Sequence, residues 1–165
     1  MTSPLRALDP DESSFRTVLG HFASGVVVVT ANDDGELVGM ACNSFTSVSL
    51  DPPLVLFCAA KSSTTWPRIQ TAGAWAASIL GDDDEELSRA FATRNADRFA
   101  GVAHHVAASG APVLDRAIAF VDCRTVAEHD AGDHVIVVGQ VERLGYATER
   151  GPLLFYRGGY GRYVT

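Results

Sequence analysis

Three short stretches of this 165-residue chain carry side chains suited to chemistry. Residues 61–65, KSSTT, place a lysine and four consecutive hydroxyls just before Trp66-Pro67, where a helix is expected to begin. Hydroxyls, free backbone N–H groups and a cation at a helix N-terminus make an anion site suited to phosphate, although the same composition also makes an ordinary helix cap. In residues 37–49, LVGMACNSFTSVS, Gly39 and Ala41 leave the backbone accessible. Its N–H and C=O groups can then face a flat heteroaromatic ring rimmed by donors and acceptors, while the bland reading is a small-residue strand and a Ser/Thr turn. The third stretch is Gly132-Asp133-His134, which opens a β-branched run. A histidine there either bonds within its own turn or is presented to a ligand, and His129 keeps the turn reading.

Other chemistries find no support. The chain has no G-x-S-x-G, H-E-x-x-H or Walker loop, and Arg157-Gly158-Gly159-Tyr160-Gly161 is not followed by a helix as a dinucleotide fingerprint would be. Histidines 21, 104, 105, 129 and 134 lack a metal spacing, and His104-His105 would need a third ligand, so no metal is expected. Cys42, Cys58 and Cys123 stand in apolar runs without C-x-x-C spacing, which predicts reduced, buried thiols.

Composition narrows the class further. With 47% hydrophobic and 20% charged residues the chain is ordinary globular material, and residues 1–165 are expected to form one domain that buries ~70% of its unfolded surface. A net charge of −7 leaves no basic face for a phosphate backbone, so no nucleic-acid partner is expected. No run approaches the ~18 apolar residues that cross a bilayer, and the N-terminus lacks an apolar signal core. A cytoplasmic location without membrane contact is the expectation.

The elements that must position these residues follow from period and punctuation. Asp9-Pro10-Asp11-Glu12 reads as a helix start, and Phe15, Val18, Leu19 and Phe22 give a helix over 10–22 with one apolar face packed on the rest. Strands are predicted over 26–31, 37–44, 46–50 and 54–60, with Asn32-Asp33-Asp34-Gly35 as a hairpin turn and Asp51-Pro52-Pro53 as a break. A helix near 66, a strand over 74–80 and an amphipathic helix to about Arg94 follow, the acidic run 82–86 reading as a solvated helix start. Residues 95–116 read as irregular. Strands over 117–129, 134–148 and 153–156 close the chain ahead of a glycine-rich end. Hairpin order with few intervening helices predicts an antiparallel barrel with peripheral helices. Such a barrel is filled by its own side chains, so a ligand would bind outside it or at a subunit interface.

In order along the chain, FASGVVVVTA (22–31), GMACNSFTSVSLDPPLVLFC (39–58), KSSTTW (61–66), GDH (132–134) and PLLFYRGGY (152–160) resemble the flavin reductase family, most of all the small reductase components of two-component aromatic monooxygenases. The resemblance implies a mainly β, antiparallel split barrel of the FMN-binding type, usually a homodimer. It implies FMN or FAD in a groove, NADH (or alternatively NADPH) as hydride donor, and a separate flavin-dependent monooxygenase that receives reduced flavin. Carried over by position, Leu37, Val38, Gly39, Met40, Ala41, Asn43 and Ser44 would hold the ring and ribityl chain. Cys58, Ala59, Ala60, Ser62, Thr64 and Thr65 would hold the remaining ribityl and the phosphate, and Ser88, Phe91 and Arg94 would flank the flavin. His134, the catalytic candidate, would meet the nicotinamide together with Tyr156, Arg157, Gly158 and Gly159. Gly159 departs from relatives that carry an acidic residue there, and the chain stops soon after this motif. Two other readings on this fold are a non-catalytic flavin-binding protein and a pyridoxamine-phosphate oxidase-like enzyme, the latter disfavoured by the GDH and YRG segments.

Overall fold

The computed structural model describes residues 5–94, 96–147 and 150–164. In chain order these form α1 (Glu12–Leu19), β1 (Ser24–Gly25), β2 (Val27–Asp33), β3 (Glu36–Cys42), β4 (Thr46–Leu50), β5 (Pro53–Ala60), α2 (Trp66–Ala72), β6 (Ala74–Ile79), α3 (Glu85–Ala92), β7 (His104–Val106), β8 (Pro112–Leu114), β9 (Ala119–Ala131), β10 (His134–Tyr146), β11 (Leu153–Tyr156) and β12 (Gly159–Arg162). Thr148, expected to end the long strand, lies outside the described residues. Among the described residues, no helix is long and apolar enough to cross a membrane.

Seven strands form one antiparallel sheet in the order β3-β2-β6-β9-β10-β5-β4, and β1-β11-β12 form a smaller one. The mainly β, antiparallel split barrel is the expected architecture. Period-2 alternation decides which side chains go inside. In β5 Val55, Phe57 and Ala59 are buried while Leu54, Leu56, Cys58 and Ala60 are half-buried on the other face. The inner set packs with Val27, Val29, Trp75 and Val137, and α2 adds Trp66 and Ile69. The Phe57 ring lies edge-on to Trp75 at 4.9 Å, a geometry that adds about 0.5–1.5 kcal/mol to the area buried. A second cluster of Val26, Val28, Leu80, Phe91, Leu114 and Leu153 fixes α3 on the outer face of β2.

Several expectations need correction. The first helix starts at Glu12, two residues later than expected, and is capped by Asp11, whose carboxylate accepts from Ser14 N at 2.9 Å. Its apolar stripe is not packed. Phe15 is 59% and Phe22 80% exposed, because α1 is tied to the rest at its C-terminal end, where Arg157 N donates to Gly20 O at 2.9 Å. The region read as irregular contains the β7–β8 hairpin, and the glycine-rich end contains β12. Acidic residues 82–86 are not simply solvated. Asp84 is 1% exposed and accepts from Gly81 N at 2.9 Å, Arg116 Nε at 2.7 Å and Arg150 Nη2 at 3.1 Å.

Candidate functional site

The end of β3 and the outer face of β5 converge on a groove of about 350 Å³. β3 and the residues after it contribute Met40, Ala41, Cys42, Asn43 and Ser44, and β5 contributes Cys58 and Ala60. The next loop adds Ser62, Thr64 and Thr65, the region of α3 adds Phe91 and Arg94, and β10 adds His134. Ser44 fixes the floor. Its hydroxyl accepts from Cys58 N at 2.9 Å and donates to Cys58 O at 3.2 Å, and Cys42 Sγ lies 3.0 Å from it. Burial pushes the Cys42 thiol pKa up, so Cys42 stays a neutral donor toward Ser44. Two of the three cysteines expected in the core therefore line the groove. Cys123 alone is fully buried.

The hydroxyl loop differs from a simple anion cap. Ser63 Oγ accepts from Thr65 N at 3.2 Å and Trp66 N at 3.1 Å, using the N–H groups that an anion would need. Lys61 turns away, with Nζ 2.9 Å from Asp130 Oδ1. The positive charge at this end comes instead from Arg94 and from Arg98, a residue that sequence reasoning missed. Arg98 Nη1 donates to Gly39 O at 2.5 Å and Thr65 Oγ1 at 2.8 Å, which clamps the loop after α3 over the hydroxyls. It lies in the stretch read as irregular, where no period or motif marked it.

His134 reaches the groove through strand register. It stands opposite Ala60, and Ile136 stands opposite Cys58, so the alternation that exposes Cys58 and Ala60 to the groove brings His134 there as well. The two central turn residues are Gly132 and Asp133, and Gly132 has φ +66°, the left-handed conformation that a glycine at the first turn position provides. Asp133 does double service. Its backbone O accepts from Lys61 N at 2.9 Å, and its Oδ1 accepts from His134 Nδ1 at 2.7 Å. The hydrogen bond from His134 holds the Asp133 carboxyl below its usual pKa. With Nδ1–H engaged, Nε2 is the acceptor nitrogen of the neutral ring.

Other predicted residues lie elsewhere. Leu37, Val38 and Gly39 line a neighbouring groove of about 590 Å³ that shares Thr64, Thr65 and Arg98 with the first. Gly39 is required by packing against Phe91 rather than by an open backbone. The Ala59 side chain points into the barrel core, as its place in the alternation demands. Ser88 is buried, its hydroxyl 2.8 Å from Tyr160 Oη, and lines a recess with Ala41, Cys42 and Asn43. Tyr156, Arg157, Gly158 and Gly159 occupy the β11–β12 turn, on the three-stranded sheet rather than the sheet that carries His134.

Residues 19–163 match the flavin reductase like domain, and the chain belongs to that family. A flavin reductase of Pseudomonas putida is 44% identical over 160 residues, covering 96% of this chain and 93% of that protein. The reductase subunit HsaB of a flavin-dependent monooxygenase in Rhodococcus jostii (strain RHA1) is 43% identical over 154 residues, covering 93% and 78%. The solved structure of the NADH:FAD oxidoreductase SgcE6 of Streptomyces globisporus C-1027 superposes with a TM-score of 0.92 at 36% identity, covering 100% of this chain and 95% of that one.

The side chains present fit a flavin. Ala41, Ala60, Met40 and Phe91 offer small and apolar surface for a ring, while hydroxyls and two arginines cluster at the other end for a phosphate.

Proposed function

We propose that this protein takes hydride from NADH to reduce FMN or FAD and releases the reduced flavin to a separate flavin-dependent monooxygenase. The observation that supports this most is the placement of His134 on one wall of a groove whose other end carries Thr64, Thr65, Arg94 and Arg98. When bound, the nicotinamide and the flavin supply the hydride chemistry itself. The chain supplies alignment. Met40, Ala41 and Ala60 leave room for a flat ring, the arginines and hydroxyls fix its phosphate, and His134, oriented by Asp133, positions the nicotinamide. Holding two rings in reactive register is worth several kcal/mol, up to about 7–11 for an ideal intramolecular geometry. No acid or base with an extreme pKa is required for the hydride transfer itself.

The working form is a homodimer in the cytoplasm. Phe15, Val18 and Leu19 of α1, with Phe22 beyond it, form an exposed apolar strip of the kind that a second subunit covers. Sedimentation or light scattering tests this, and a monomer at micromolar concentration would refute it.

For the activity, purified protein is mixed with NADH and excess FMN or FAD, and the nicotinamide absorbance is followed. Multiple turnovers are expected, with NADPH as a parallel arm. Bound flavin without turnover would favour a flavin carrier instead, and a lack of both would remove the reading.

A further inference from the structure

Arg98 brings a charge to the seam between the two grooves with no carboxylate to balance it. Its three acceptors, Gly39 O, Thr65 Oγ1 and Thr93 O, are all neutral, and among the described residues no acidic side chain pairs with it. Arg68, on the wall of the second groove, is the contrast. It is held by Asp33 at 2.6 Å and Glu36 at 2.7 Å, so its charge is answered within the protein. Partial burial also strips water from the Arg98 guanidinium, and a bound anion would restore interactions that its charge has lost.

The second groove, at about 590 Å³, is larger than the first and falls within the ~300–1,000 Å³ range of small-molecule sites. Leu37 and Phe99 give it apolar surface, and Asp97 adds a carboxylate that can accept from ribose hydroxyls or an amino group. FMN ends at one phosphate and would leave this space unused. Resting on the flavin reading above, we propose that the second groove receives the adenylate half of FAD, with Arg98 at the diphosphate. The protein therefore selects the dinucleotide flavin over the mononucleotide.

Calorimetric titration tests this through binding alone. Wild-type protein is titrated with oxidised FAD, FMN and NAD+, and so are Ala96→Trp, which narrows the second groove from its exposed rim, and Arg98→Gln. The wild type is expected to bind FAD about tenfold more tightly than FMN, and Ala96→Trp to bring the two within about twofold. Arg98→Gln is expected to weaken FAD about fivefold, with circular dichroism confirming that it folds. Should Arg98→Gln not fold, the Ala96→Trp ratio decides. Equal wild-type affinities, or a ratio unchanged in Ala96→Trp, overturn the inference and leave the flavin reading intact. Loss of NAD+ binding in Ala96→Trp with FAD unaffected also overturns it, since the groove would then serve the nicotinamide dinucleotide. If neither flavin binds, both readings fall.

Discussion

Phe91 occupies the space left by the missing side chain of Gly39, and a Cβ built on Gly39 would stand 2.8 Å from Phe91 Cε1. A strand and a helix thus meet at the one place in β3 where nothing larger than hydrogen fits, directly behind the groove. Gly39→Ala is expected to destabilise the fold by about 1–3 kcal/mol and to weaken flavin binding as Phe91 is displaced. Urea denaturation and a flavin titration measure the two effects, and an unchanged midpoint would contradict the packing argument.

If His134 positions the nicotinamide as proposed, His134→Ala lowers NADH turnover by about tenfold or more. Flavin affinity should stay within about threefold of wild type, since the hydroxyls and arginines proposed to fix the phosphate are untouched. Steady-state kinetics with a parallel flavin titration separate the two, and unaltered turnover would sink the assignment.

Asp133 gives the tip an acid limit. Its folded pKa lies below the ordinary carboxylate value because it accepts from His134. The stabilisation from that contact is therefore complete above the unfolded-state pKa and fades as pH falls through the folded one. Asp133→Asn should remove this acid-range component of the pH dependence of stability. Denaturation midpoints measured from neutral pH down to about pH 3 check it, and identical acid profiles would show that the contact adds nothing.

Asp84 joins two arginines beneath the entrance to α3. Removing its buried carboxylate in Asp84→Ala leaves Gly81 N without its acceptor and takes from Arg116 and Arg150 one of the two carboxylates they share, the other being Asp83. Because both arginines retain solvent contact, the expected loss is about 2–3 kcal/mol, less than for a fully buried pair. Thermal unfolding measures it, and a shift smaller than about 1 °C would be inconsistent with that figure.

Thiol labelling should divide the cysteines by location. Cys123 is buried and its pKa is pushed up to about 12 by burial, so it should resist a thiolate-selective reagent until the protein unfolds. Cys58, half-buried on the groove, should react in the native state and be protected by saturating flavin. Peptide mapping identifies the labelled positions, and native labelling of Cys123 would overturn this order.

Much of the fold was legible because strand alternation and turn residues act locally. Residues 26–31, the breaks at 32–35 and 51–53, and a turn at 130–133 announce themselves by type alone, although β9 runs on to Ala131 and leaves only Gly132 and Asp133 in that turn. What failed depended on partners distant in sequence. Arg157 sits at φ +50° in the β11–β12 turn, a conformation its residue type does not advertise, so β12 escaped detection. Phe15 and Phe22 read as core because periodicity reports that a face is apolar, not which molecule covers it. Along the groove, the motif and the resemblance pointed to His134, Cys58 and Ala60, which line it, whereas Arg98 was invisible. Its importance comes only from folding a nondescript loop across Gly39 and Thr65.

The bond from Lys61 N to Asp133 O joins the hairpin tip to the hydroxyl loop. One amide thereby makes the imidazole and the hydroxyl loop parts of a single rigid jaw. Slack introduced on either side is transmitted to the other, so under the proposed roles a mutation that loosens the hydroxyl loop registers as misaligned hydride transfer before it registers as lost binding.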